Sequence, residues 1–244
     1  MVSFPAPERR RIYLMRHGAV TYFDETGRPI LPETVPLNEE GRRQATAAGQ
    51  TFAAERVVFD RVIVSGLPRT VETAQRVLAE MPAMKTREVA LEHWPELQDI
   101  RGGKLAEIPE HEVAQAFMGA FEGRVPETRR FLNGEHVGAF LDRVLPAIGR
   151  LRALPDWDTV LLVLHGGTNR AILSHALTGG ERVFFGNLAQ TPGCINVLDV
   201  GEAPGDWVLR MANFSPPSPA HLGSRLTTME VLLQQYLRHR KPAA

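Results

Sequence analysis

Ile12-Tyr13-Leu14-Met15-Arg16-His17-Gly18 reads as a short apolar strand that ends abruptly in an arginine, a histidine and a glycine. Large and β-branched apolar residues in a short run suit a buried strand, and a glycine just beyond suits a tight exit. The pattern recurs twice. Residues 62–64 run into Ser65 and then Arg69, and residues 160–164 run into His165-Gly166-Gly167. A fourth apolar run, 195–200, completes the set of predicted strands.

Helical patterns lie between these runs. Asn38 stands as an N-cap before Glu39-Glu40, with Gln44, Ala45, Ala48 and Phe52 following on a helical period. A second helix is predicted from about 69 to 80, ahead of Pro82. A third follows His165-Gly166-Gly167 and ends at Gly179-Gly180, residues suited to the left-handed conformation after a helix. Alternation of strand and helix predicts an α/β three-layer sandwich, a mostly parallel sheet with helices on both faces, in a single domain over 1–244. Residues 108–154 break the alternation with two helix-like segments, 110–121 and 135–154, and read as a helical insertion at about 104–154. Pro146 is predicted to kink the second segment unless it marks a helix start. Residues 226–237 predict a last helix, and Pro216, Pro217 and Pro219 mark a loop.

The composition excludes several classes of function. Lys+Arg and Asp+Glu both number 28 in 244 residues, so no global field draws in a nucleic-acid backbone. The first seven residues hold no apolar core of signal-peptide length, and the run 160–164 is too short to cross a bilayer, so a cytoplasmic protein without membrane partners is expected. Cys194 is the only cysteine; it permits no internal disulfide and reads as a buried small hydrophobe. Oligomeric state is open, with a homodimer allowed for.

In open α/β sheets, ligands bind beyond the carboxyl ends of the strands, which would bring Arg16, His17, Arg69 and His165 together. Arginine forks, close backbone approach at glycines and helix N-termini favour an anion, and four basic groups suit phosphate better than one carboxylate. Each element also has a plain structural reading: Gly166-Gly167 as a tight turn, Ser65 and Thr73 as padding for the second helix, a strand-end arginine as a surface ion pair. The coincidence of three such exits favours a phosphate site.

Leu14-Met15-Arg16-His17-Gly18 resembles the nucleophile motif of the histidine phosphatase superfamily, also called phosphoglycerate-mutase-like. Leu37-Asn38-Glu39-Glu40-Gly41-Arg42-Arg43-Gln44-Ala45 resembles its Leu-Thr-x-x-Gly-x-x-Gln-Ala helix start, and Ser65 to Ala74 its Ser-x-x-x-Arg-x-x-x-Thr-Ala block. His165-Gly166-Gly167 with Arg170-Ala171 resembles the second-histidine motif, and Asn213 with His221-Leu222 the closing residues. The resemblance implies that His17 becomes a phosphohistidine, that Arg16, Arg69 and His165 grip the phosphoryl oxygens, and that no metal or organic cofactor takes part. It also implies substrate contacts from Gly18, Thr21 and Gly166.

Two departures stand out. The family's Leu-x-Glu-x-x-x-Gly acid block is here Leu97-Gln98-Asp99-Ile100-Arg101-Gly102-Gly103, which puts Asp99 at the acid position with Glu96 as the alternative. Phe23 occupies the place of a phosphate-contacting Asn, leaving Thr21 or Asp24 as substitutes. The expected activity is phosphomonoester hydrolysis of a small phosphorylated metabolite. The alternatives are a mutase, for which Arg124, Arg129 and Arg130 in the insertion offer a second anion site, and a non-catalytic phospho-ligand module. Phe117, Met118, Phe121, Phe131 and Phe140 read either as an apolar pocket wall or as ordinary core.

Overall fold

The structure is a computed structural model that describes residues 8–24, 26, 28–85, 87, 89–223 and 225–238. The first apolar run becomes β1 (Arg10–Arg16), followed by α1 (Glu39–Ala54), β2 (Arg61–Val64), α2 (Pro68–Ala79), α3 (Pro82–Lys85) and β3 (Leu91–His93). Then come α4 (Glu110–Met118), α5 (Val137–Ala153), β4 (Thr159–Leu164), α6 (Gly166–Leu177), β5 (Ile195–Val200), β6 (Trp207–Phe214) and α7 (Thr228–Leu237). The six strands form one sheet in the order β3-β2-β4-β1-β5-β6. Strands β3, β2, β4 and β1 run parallel, β5 is antiparallel to β1, and β6 is antiparallel to β5.

Side chains alternate across this sheet and sort the core into two layers. Ile12, Leu14, Val160, Leu162 and Leu164 pack with α5 and α6 on one face, while Met15, Leu161 and Val163 pack with α1 and α2 on the other. The central strands are therefore buried on both faces, which explains why β4 reads as an unbroken apolar run rather than as an alternating one. Asn38 caps α1, its side chain accepting from the Gly41 amide at 2.9 Å. The expected three-layer architecture is the one observed.

Two strands escaped the sequence reading. β3 is only three residues long, and β6 is an edge strand whose Arg210 and Asn213 interrupt its apolar residues. The two helices between 104 and 154 serve different purposes. α5 lies in the helical layer against β1 and β4 and is the crossover helix leading into β4. α4 instead packs with α7 in a separate apolar cluster that includes Phe23, Phe117, Met229 and Tyr236. Pro146 does not mark a helix start: α5 is one continuous helix over 137–153 with Pro146 inside it on the exposed face, where the proline leaves the Asp142 carbonyl without its helical N–H. Among the described residues, no helix is long and apolar enough to cross a membrane.

Candidate active site

Sheet register brings the motif-bearing strand ends into one row. Arg16 pairs with Leu164, so His17 and His165 leave adjacent strands level with each other, and Val64 pairs with Val163, which puts Ser65 one residue behind His165 on the next strand. Arg69 is the second residue of α2, directly behind Pro68 at the first helical position, where the missing N–H is harmless. The histidine rings lie 5.2 Å apart, edge to face, with His17 1% and His165 0% exposed.

Each of these side chains is fixed on its far side. His17 Nδ1 lies 2.7 Å from Gly18 O, which leaves Nε2 as the ring nitrogen without that bond. His165 Nε2 lies 2.7 Å from Ser65 Oγ. Arg16 donates through Nη1 to Gln190 O and to Thr228 Oγ1, and Arg69 donates through Nη1 to Pro32 O. Arg16 Nε, Arg69 Nε and His165 Nδ1 are buried and meet no protein acceptor. Buried polar groups are rarely left so, and three of them at one locus mark a site shaped for acceptor oxygens.

The electrostatics agree. Burial, then Arg69 and Arg16, hold the His17 imidazole well below its ordinary pKa; burial, then Arg69, His17 and Arg16, do the same to His165. Among the described residues, no carboxylate lies within ion-pair distance of Arg16 or Arg69.

Arg170 is a further cation that the sequence reading placed in a motif but not in the site. It is 5% exposed, lines the same cleft, lies over the Phe121 ring at 4.9 Å and donates from Nε to Gly186 O. Desolvation and the neighbouring Arg16 lower its pKa to about 10, so it remains charged at neutral pH. Its position on α6, one turn beyond Gly166, was the available signal, since helical residues three and four apart share a face. Thr228, at the start of α7, was also missed; nothing in its local sequence indicates that the start of α7 reaches the Arg16 side chain.

The two candidate acids separate cleanly. Asp99 lines the cleft, and its Oδ1 accepts from the amides of Gly167 at 3.0 Å and Ile100 at 3.1 Å. A Cβ at residue 167 would stand 2.4 Å from that oxygen, so glycine is required there for Asp99 to approach. The Glu96 carboxylate instead pairs with Arg150 at 3.0 Å, 42% exposed and outside the cleft lining.

Other expected contacts fall elsewhere. Gly18 spends its amide on Thr73 Oγ1 at 3.1 Å and packs its α-carbon against Gly41, while Thr21 is exposed and accepts from Asn38. Asp24 turns away, accepting from the amides of Thr26 and Arg28. Phe23 does reach the cleft, and Gly166 lines it beside Arg16 and Arg170. Arg124, Arg129 and Arg130 do not line it.

The cleft measures about 1780 Å³ and opens between the strand ends, α4 and α7. Phe117 and Phe140 are fully buried core, whereas Met118, Phe121 and Phe131 line the cleft wall. Among the described residues, no group of three or more His, Cys, Asp or Glu is placed to hold a metal ion. Cys194 is buried beneath Gln190, its thiol pushed up to about 11 by burial.

Inorganic phosphate is expected to raise the melting temperature by supplying acceptors to the unpartnered donors. Saturation at 100 times Kd corresponds to about 2.7 kcal/mol. Thermal scans at matched ionic strength should show the shift with phosphate and not with chloride, and Arg69→Gln should abolish it. Equal shifts with both anions would contradict a shaped phosphate cradle.

A sequence model of the histidine phosphatase superfamily (branch 1) matches residues 12–214. Among curated proteins, the chain is 29% identical over 199 residues to adenosylcobalamin/α-ribazole phosphatase of Salmonella typhimurium LT2, covering 79% of this chain and 91% of that one. It is 27% identical to a 2,3-bisphosphoglycerate-dependent phosphoglycerate mutase of Elusimicrobium minutum, over 68% of this chain and 77% of that one. Among solved structures it superposes on the α-ribazole phosphatase of Shigella flexneri with a TM-score of 0.61, 23% identity and coverage of 83% and 96%. A mycobacterial glucosyl-3-phosphoglycerate phosphatase with inorganic phosphate gives a TM-score of 0.64 at 21% identity, with coverage of 85% and 98%.

Proposed function

The chain belongs to the histidine phosphatase superfamily, and from that premise we propose that it is a phosphomonoester hydrolase working through a phosphohistidine on His17, without a resident metal. The observation that carries this reading is the trio of buried donors, Arg16 Nε, Arg69 Nε and His165 Nδ1, gathered around a neutral His17. With Nδ1 donating to Gly18 O, the Nε2 lone pair of His17 attacks phosphorus and the bond from phosphorus to the leaving oxygen breaks. The arginines and His165 stabilise the charge spread over the equatorial oxygens. For His165 to donate from Nδ1 toward the cradle, Nε2 accepts from the Ser65 hydroxyl 2.7 Å away, the tautomer that this mechanism requires.

Asp99 is assigned as the acid that protonates the leaving oxygen. In the second half the same carboxylate takes a proton from water as the water attacks phosphorus, the phosphorus–nitrogen bond breaks and His17 is regenerated. The reading draws further support from the phosphatases among the relatives.

The cleft wall bears on the substrate. Of the eight large hydrophobic side chains exposed among the described residues, Leu31, Met118, Leu226 and Val231 all line this one cleft. An exposed apolar patch of this kind beside a phosphate cradle fits an ester whose organic part is bulky and apolar. Phosphate release is expected across a panel of monoesters, unchanged by exhaustive chelation, with kcat/KM for 1-naphthyl phosphate above that for phenyl and glycerol phosphates. Efficient interconversion of 2- and 3-phosphoglycerate with little phosphate release would replace hydrolysis by mutase chemistry. A preference for glycerol phosphate would remove the apolar-substrate reading alone.

A further inference from the structure

The loop carrying Asp99, from 98 to 103, has no helix or strand to define it, and one side chain gathers most of the carbonyls on its Asp99 side. Arg143, on α5 and outside the cleft lining, uses all five of its donors there. Nη1 donates to Glu96 O at 2.8 Å and Gln98 O at 2.6 Å, Nη2 to Asp99 O at 2.8 Å and Glu135 Oε2 at 2.9 Å, and Nε to Glu135 Oε1 at 3.0 Å.

Three carbonyl dipoles converging on one point repel each other unless a cation sits between them. A planar guanidinium meets all three and a carboxylate at once, which a lysine ammonium with three donors cannot do. Glu135 closes the far side, accepting from the Arg101 amide at 3.0 Å while its own amide donates to Arg101 O at 2.8 Å. Arg143 and Glu135 are 16% and 12% exposed at their side chains, so the arrangement is sheltered from water. Asp99 is thus held at both ends, its backbone carbonyl by Arg143 and its side-chain Oδ1 by the Gly167 amide.

We propose that Arg143 is a positioning residue for the proton donor: it touches no substrate and sets where Asp99 stands relative to the leaving oxygen. The inference rests on the assignment of Asp99 as the acid. A displacement near 1 Å of a reacting group costs about 100-fold in rate, and only leaving groups that need a proton register it.

The test compares kcat/KM for an alkyl phosphate and for p-nitrophenyl phosphate, in the wild type, Arg143→Lys, Arg143→Gln, Asp99→Asn and Asp99→Asn/Arg143→Lys. The ratio of the two substrates, measured on one preparation, does not depend on how much of a variant has folded. The alkyl-to-aryl ratio is expected to fall about 10- to 100-fold in both Arg143 variants, and adding Arg143→Lys to Asp99→Asn should leave it unchanged. An unaltered ratio in the Arg143 variants, with both substrates slowed alike, would show a purely structural role and overturn the inference. So would a further fall in the double variant. An unaltered ratio in Asp99→Asn would instead remove Asp99 as the acid, and the inference with it.

Discussion

His17→Ala is expected to lower kcat/KM for any phosphomonoester by about five orders of magnitude, the scale seen when a covalent nucleophile is deleted. The fold should survive, because the imidazole is a neutral ring in a pocket and not part of either apolar core layer. Quenching under non-acidic conditions with labelled substrate should leave label on His17 in the wild type and none in the variant. Near-normal turnover by His17→Ala would end the phosphohistidine mechanism. The pH dependence follows from the same surroundings. Burial, Arg69 and Arg16 depress the folded-state pKa, so His17 of the free enzyme is neutral and nucleophilic at and below its ordinary value of 6.5. Its contribution to stability is complete above that unfolded value and is lost as pH falls from there toward the depressed folded value. Imidazole NMR of the ligand-free protein should show no titration of His17 at 6.5; a midpoint there would contradict the electrostatic account.

Asp99→Asn is expected to have the second largest effect, and a selective one. Loss of a general acid costs about 10²- to 10⁴-fold where the leaving group needs its proton. The kcat/KM of an alkyl phosphate should fall by that amount, while that of p-nitrophenyl phosphate, whose phenolate departs readily, should change by about threefold or less. Asn keeps the side-chain oxygen that accepts from the Gly167 amide, so the loop should stay in place. Glu96→Gln should leave both substrates alike, since its carboxylate lies outside the cleft against Arg150. The reverse pattern would make Glu96 the acid.

Much of the site was legible because its chemistry sits at strand ends. Arg16, His17, Ser65 and His165 each follow directly on an apolar run, and the parallel register of β1, β2 and β4 converts equal positions in sequence into proximity in space. Asp99 was harder to read. It lies in a loop without periodicity, and the choice over Glu96 depends on which carboxylate faces the cleft, a matter settled by the Gly167 amide and by Arg150, both distant in sequence. Thr21 and Gly18 were natural expectations from their nearness to His17. Hydrogen bonds to Asn38 and Thr73 give these two residues other work.

The amino-acid sequence by itself determined the α/β alternation, the burial of the central strands and the row of Arg16, His17, Ser65 and His165 at the strand ends, since those depend on local periodicity and on the few residues beside each strand. Tertiary structure decided the rest. α4 and α5 look alike as amphipathic segments, yet one joins α7 beside the cleft and the other covers the sheet, because the partner of an apolar face depends on packing at long range. Arg143 shows the same limit: in sequence it is one basic residue among several on a helix, and only the folded backbone turns three carbonyls toward it.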